Sequence, residues 1–221
     1  LDALHEAEVR DVVFSSTAAV YGVPQEVPIP ESAPTVPVNP YGCSKLAFEW
    51  ALDSYARAHG LRFAALRYFN AAGAHPDGTL AERHEPETHL LPLVIDAARG
   101  SRPPLTVFGH DYPTPDGTCV RDYIHVCDLA AAHLRAIDKL AHGHSIGPLN
   151  LGTGHGYSVK EVLHAAQDVL GAPIAHVVGP KRDGDPPVLV ADCSAAQRDL
   201  DWQPVRSDLA TLLEDAVRSR W

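Results

Sequence analysis

Tyr41 and Lys45 stand four residues apart in Asn39-Pro40-Tyr41-Gly42-Cys43-Ser44-Lys45. On a helix, that spacing puts a phenol and an ammonium on one face. A phenol has an ordinary pKa of about 10 and is a poor base at neutral pH, and a cation held beside it favours the phenolate. Such pairs also arise on solvated helix faces. Here the pair follows Ser15-Ser16-Thr17-Ala18-Ala19-Val20-Tyr21-Gly22 across a proline-rich stretch. The order of strand, hydroxyl residue, loop and helix-borne pair sets it apart from a chance coincidence.

The elements that must hold these groups follow from hydrophobic patterning. Residues 2–8 are expected to be helical and Val9 to Ser15 to form a buried strand. Six prolines between Pro24 and Pro40 exclude a helix there. A helix is expected from Pro40 to His59, with proline in its first turn and Gly60 at its end. Arg62 to Tyr68 reads as a second buried strand, so strands and helices alternate as in a parallel sheet covered on both faces.

Further along, a loop is expected over 73–89, a helix over Leu90–Arg99 and a strand over Leu105–Phe108. A turn-rich excursion (111–118) precedes a strand at 123–126 and a helix from Asp128 to Leu140. A short strand is expected at 149–151, and Ser158 and Glu161 have capping-box spacing for a helix reaching Leu170 before Gly171. Strands at 174–178 and 188–190 and helices near 194–200 and 207–219 complete the reading.

The 221 residues are 45% hydrophobic, enough for one large or two small lobes. The net charge of −10 argues against nucleic-acid or anionic-membrane partners, so an anionic ligand must be held by a few placed arginines. No apolar run approaches the roughly 20 residues of a membrane span. Cys43, Cys119, Cys127 and Cys193 form no C-x-x-C, which reads as reduced thiols in a cytosolic protein.

Several patterns invite other chemistry. Gly152-Thr153-Gly154-His155-Gly156 suggests a phosphate loop, but Tyr157 stands where G-x-G-x-x-G needs glycine, and a tight turn is expected. The 13 histidines, His142 and His144 among them, show neither H-E-x-x-H nor Cys/His ligand spacing. They are expected on the surface or in loops, with no metal. Ser15 and Ser16 lack a G-x-S-x-G elbow.

Taken together, residues 15–22, 41–45, Leu66-Arg-Tyr-Phe-Asn-Ala-Ala-Gly73, the 111–126 block, Asn150-Leu-Gly-Thr-Gly154 and Lys181-Arg-Asp-Gly-Asp-Pro186 resemble the UDP-glucose 4-epimerases. That family lies within the extended short-chain dehydrogenase/reductase superfamily. The first two motifs are common to the superfamily, whereas the 111–126 and 181–186 blocks are closer to the epimerase branch. The likeness runs from Leu1 to Trp221.

It implies an α/β fold: an incomplete Rossmann-type parallel sheet plus a smaller mixed α/β substrate lobe. The expected division is 1–72 for the nucleotide domain and 73–221 for the UDP-sugar lobe, with the strand near 149–151 returning to the first sheet. NAD is the implied cofactor and a UDP-hexose the substrate, with hydride removed from and returned to sugar C4 through a 4-keto intermediate.

Tyr41 would carry the C4 hydroxyl proton, Lys45 would hold the nicotinamide ribose, and Thr17 would bridge to the sugar hydroxyl. Thr17 also reads as a strand-end hydroxyl tied to backbone. Phe69 would border the nicotinamide, although ordinary core packing is the plainer reading. Asn70 would contact the diphosphate-sugar, Arg121 and Arg182 the diphosphate, and Asp185 the uridine ribose. Leu90, Thr106 and Phe108 would line the uracil end. His89 falls where many relatives carry asparagine, which suggests a hydrogen bond. Leu189 occupies a position tied to acceptance of N-acetylated sugars. The family also implies a homodimer in the cytoplasm.

No glycine-rich pyrophosphate turn occurs in the 221 residues. Together with the opening at Leu1 and the lack of methionine, this suggests a fragment preceded by about three βα units of about 30 residues each. Such a chain is expected to bind NAD poorly and turn over little. Ala18-Ala19 after Thr17 disfavours the rival 4,6-dehydratases, which carry Asp-Glu there. A reductase or decarboxylase that releases its product remains open, as does a non-catalytic sugar-nucleotide-binding fragment.

Overall fold

The structure is a computed structural model, and it describes residues 1–219. In chain order, α1 (Asp2–Glu6) leads to β1 (Asp11–Thr17), a 3-10 turn (Ala18–Tyr21), α2 (Pro40–His59), β2 (Arg62–Tyr68) and β3 (Asn70–Ala72). The second part holds α3 (Leu90–Ala98), β4 (Leu105–Phe108), β5 (Val120–Arg121), β6 (Tyr123–His125), α4 (Val126–Ala141) and β7 (Gly147–Leu151). Finally come β8 (Tyr157–Ser158), α5 (Val159–Leu170), β9 (His176–Gly179), β10 (Val188–Leu189), α6 (Ser194–Leu200) and α7 (Leu209–Ser219).

The expected α/β class is found. β2 lies between β1 and β7, all parallel, with Thr17 beside Tyr68 and Leu66 beside Leu149. Alternation along β2 explains why it is buried on both faces. Phe63 and Ala65 meet Leu52 of α2, while Ala64 and Leu66 meet Leu129, Ala132, Leu140 and Trp202. β1 has no strand on its other side among the described residues.

A second core joins α3, α5 and α7 through Leu91, Val94, Val162, Leu163, Leu212 and Leu213, with Leu105 and Val107 of β4. β4 pairs with β9 and β3 with β6, both parallel, and β5 is flanked by parallel β10 and antiparallel β8.

Several boundaries differ from those expected. β1 begins at Asp11 and continues through Thr17, because its register with β2 runs unbroken from Asp11–Arg62 to Thr17–Tyr68. β3, β5 and β8 have only two or three residues each, too short for patterning to reveal, and exist because a neighbouring strand pairs with them. α2 matches expectation from Pro40 to His59: the Asn39 side chain accepts from Gly42 N (2.8 Å), and Gly60 closes it at φ 69°. The capping box of Ser158 and Glu161 is formed on α5.

Candidate active site

β1 and α2 bring the sequence-selected hydroxyl, phenol and ammonium to one end of the parallel sheet. Gly42 permits this approach, since a Cβ there would lie 2.5 Å from the Ala19 carbonyl oxygen. α2 can therefore close against the 3-10 turn that follows Thr17. Lys45 Nζ donates to Ser15 O (2.9 Å) and lies 5.6 Å from the Tyr41 ring centroid. Phenol and ammonium thus share a face of α2.

Below them lies a buried polar network. Arg67 of β2 donates from Nε to Glu49 Oε1 (3.0 Å) and from Nη2 to Glu49 Oε2 (2.6 Å). Ser16 donates to Glu49 Oε1, Arg67 Nη1 donates to Tyr21 Oη (2.8 Å), and Tyr21 donates to Asn150 Oδ1 (2.7 Å). Burial, the largest influence, disfavours the Arg67 charge, yet Glu49 and Tyr21 together outweigh it and its pKa is raised. Glu49 follows Lys45 by four positions, so Tyr41, Lys45 and Glu49 form one stripe of the helix.

Thr17 accepts from Ala19 N (3.2 Å), as its backbone-tied reading anticipates, and it also lines an open cavity of about 810 Å³. Because its oxygen is the acceptor in that bond, its hydroxyl proton stays available to a ligand. Ser16, Tyr41, Tyr68 and Phe69 line the same cavity. The Tyr68 hydroxyl, unforeseen in the sequence, donates to Ser15 Oγ (2.8 Å) and contacts His133 Nε2; burial raises its pKa.

A narrower cavity of about 230 Å³ adjoins the first along Asn70–Gly73, Ala81, Glu82 and His89. Asn70, His89, Leu90, Thr106, Phe108, Arg121 and Arg182 all line it. Arg121 is buried and Arg182 exposed, and the Arg182 guanidinium lies 5.0 Å from the Phe108 ring centroid. Both converge on Asp185: Arg121 Nη2 bonds Oδ1, and Arg182 Nη2 donates to Oδ2 (2.9 Å). Two guanidinium groups on one carboxylate leave surplus positive charge at the wall of a chain whose net charge is −10.

Asp185 therefore holds the arginines rather than facing the cavity alone. Leu189 lines neither cavity and packs with Phe69 against the cluster of Ala18, Val20, Tyr21, Ile29 and Leu46.

The glycine turn 152–156 is filled by the protein itself. Asp122 Oδ1 accepts from Thr153 N and Oγ1 (both 2.8 Å), and Oδ2 accepts from Gly154 N (3.1 Å) and Ala191 N (3.2 Å). Burial raises the Asp122 pKa against these bonds. A carboxylate thus takes the amide donors that a phosphate would need, and the tight-turn expectation holds.

Residues 1–152 match the family described as NAD dependent epimerase/dehydratase. The chain belongs to that family. It is 48% identical over 216 residues to UDP-glucose 4-epimerase of Lacticaseibacillus casei, covering 98% of this chain and 65% of that protein. It is 52% identical over 217 residues to UDP-glucose 4-epimerase of Streptomyces lividans, covering 98% and 64%. The crystal structure of UDP-glucose 4-epimerase from Brucella ovis in complex with NAD superposes with a TM-score of 0.95 at 47% identity, covering 98% of this chain and 66% of that one. The enzyme from Bifidobacterium longum in complex with NAD+ and UDP gives 0.91 at 39% identity, covering 99% and 66%. The chain spans slightly less than two thirds of the length of these curated relatives.

The family cofactor can be tested against the residues present. Thr17, Tyr41 and Phe69 offer polar and aromatic groups on one cavity, and Lys45 keeps protons beyond the one given to Ser15 O. These suit a nicotinamide and its ribose. The one candidate pyrophosphate turn, 152–156, is closed by Asp122. The fit is to the nicotinamide end.

Proposed function

We propose that this chain carries the proton-transfer and UDP-sugar-binding parts of a UDP-glucose 4-epimerase. The observation that carries the reading is adjacency. The cavity bearing Thr17 and Tyr41 shares Asn70–Gly73 and His89 with the cavity bearing Arg121 and Arg182. One elongated ligand, hexose at one end and nucleotide at the other, suits that arrangement.

Lys45, Tyr41, Thr17 and Phe69 would hold NAD, which when bound would supply the acceptor and donor of hydride at C4. Tyr41 accepts the C4 hydroxyl proton as that carbon is oxidised to the 4-keto sugar, and returns it after the sugar presents its other face. The Lys45 ammonium stabilises negative charge on the phenol oxygen. Thr17 directs its free hydroxyl proton to the sugar. Arg121 and Arg182 hold the diphosphate, with Asp185 fixing their planes. Asn70 and His89 bind between sugar and diphosphate, and Leu90, Thr106 and Phe108 take the base. Asp185 reaches the uridine ribose, and Leu189 bears on acceptance of N-acetylated sugars.

The reading places the protein in the cytoplasm, without nucleic-acid partners. No described helix is long and apolar enough to cross a membrane. Exposed Trp50 and Phe48 on α2 support a homodimer through helices flanking the Tyr41 segment.

The protein that bears this chain, given UDP-galactose without added reductant, is expected to produce UDP-glucose. A stable keto or deoxy product would favour the dehydratase or reductase alternative. A bound but unconverted UDP-sugar would favour a binding role.

A further inference from the structure

The loop between β3 and α3 carries Glu82, His84, Glu87 and His89, each of which offers a ligand atom, all within 4.8 Å of one another. We propose that these four side chains form a binding site for a borderline divalent cation of the zinc class, at the wall shared by the two cavities. The proposal goes beyond the epimerase reading and does not depend on it.

Three donor pairs stand closer than a coordination shell would hold them, within a set that spans up to 4.8 Å. Glu82 Oε1 lies 2.9 Å from His84 Nδ1 and 2.6 Å from His89 Nδ1, and Glu87 Oε1 lies 3.0 Å from His89 Nδ1. Donors around a tetrahedral Zn²⁺ at about 2.1 Å stand about 3.4 Å from one another. Those three pairs therefore need to open by about 0.4–0.8 Å, and pairs standing up to 4.8 Å apart to draw in, for a tetrahedral ion to enter. Two imidazoles with two carboxylates suit Zn²⁺, Co²⁺ or Ni²⁺, whereas Mg²⁺ and Ca²⁺ favour all-oxygen shells.

The ligands are also supported from behind. Glu87 Oε1 accepts from Thr88 N (2.8 Å) and His89 N (2.9 Å), which fixes its carboxylate plane. The alternating spacing 82, 84, 87, 89 matches no standard zinc signature. The juxtaposition arises because residues 82–89 fold back on themselves in a segment with neither helix nor strand. His84 and His89 consequently stand with ring centroids 5.1 Å apart.

Glu82 and His89 line both cavities, so a bound ion would fasten the loop that separates them. The ion would also compete with any ligand that needs the His89 Nδ1.

The test is titration of the protein that bears this chain, stripped of metal by a chelator, with Co²⁺ followed by visible absorption. One equivalent is expected to give the intense bands of four-coordinate cobalt, discharged by Zn²⁺ and untouched by Mg²⁺. His84→Ala and Glu87→Gln should each weaken binding about tenfold or more. His144→Ala, a surface histidine outside the cluster, should leave it unchanged. His84 is exposed, so its variant is expected to fold, and circular dichroism checks this. Absence of saturable absorption, or binding equally strong in the His84→Ala and Glu87→Gln proteins, overturns the site.

Discussion

At the residue scale, the site divides side chains by the state of their hydrogen-bonding capacity. Thr17 spends a lone pair on Ala19 N and keeps its proton, while Lys45 spends one proton on Ser15 O and keeps the others. Tyr41 is exposed at the cavity, with the Lys45 ammonium 5.6 Å from its ring centroid. Replacing Tyr41 by Phe removes only the phenol oxygen. In the protein bearing this chain, Tyr41→Phe is expected to lower kcat by roughly 10²–10⁴-fold. UDP affinity should change less than about threefold, because Arg121 and Arg182 lie in the adjoining cavity. Steady-state kinetics beside calorimetric titration with UDP separate the two. An equal loss in both would show that Tyr41 holds the ligand rather than moving its proton.

At the element scale, α2 is presented by what it buries. Glu49 is 4% exposed at its side chain and Arg67 is 5% exposed, so their bidentate pair lies in the interior. A buried pair of this kind adds little over an apolar substitute, but removing one partner strands the other charge, at a cost of about 3–5 kcal/mol. Glu49→Ala is therefore expected to lower unfolding free energy by that amount in urea denaturation. A loss below about 1 kcal/mol would show that water or another group satisfies Arg67. The position was within reach of sequence reasoning, since Glu49 continues the four-residue stripe of Tyr41 and Lys45. Its partner was not, because Arg67 sits in a strand that reads as buried and apolar, where a guanidinium is unexpected without its carboxylate. Short β3, β5 and β8 were hidden for a related reason: their pairing comes from neighbours distant in the chain.

At the scale of the whole molecule, His125 ties the sheet side to the α3–α5–α7 core. Its Nδ1 accepts from Cys127 N (3.0 Å), which leaves the proton on Nε2, 3.2 Å from Asp215 Oδ2 on α7. Its amide donates to Ser207 Oγ (2.8 Å), which in turn donates to Asp128 Oδ2 (2.6 Å). Burial pulls the His125 pKa below 6.5, with Asp215 and Asp128 opposing. The unfolded chain then binds a proton that the folded one resists, so stability is full above about pH 6.5 and declines as pH falls below it. The expected slope is at most about 1.4 kcal/mol per pH unit from this residue. His125→Asn keeps a helix-capping oxygen and should flatten the decline between pH 6.5 and 5. Parallel curves for the two proteins would remove His125 as its source.

What the sequence by itself determined was local. Pro40 and Gly60 bound α2, Ser158 and Glu161 cap α5, and the Tyr41–Lys45 spacing sets one face of a helix; each depends on neighbours within four residues. The tertiary structure alone decided which distant groups meet. Asp122 fills the turn 152–154 instead of a phosphate, Asp185 clamps Arg121 from 64 positions away, and Tyr21 reaches Asn150 across 129. The physical reason is that buried polar groups must be paired. Their partners are chosen by how sheets and helices stack, a long-range outcome that no short window of sequence contains.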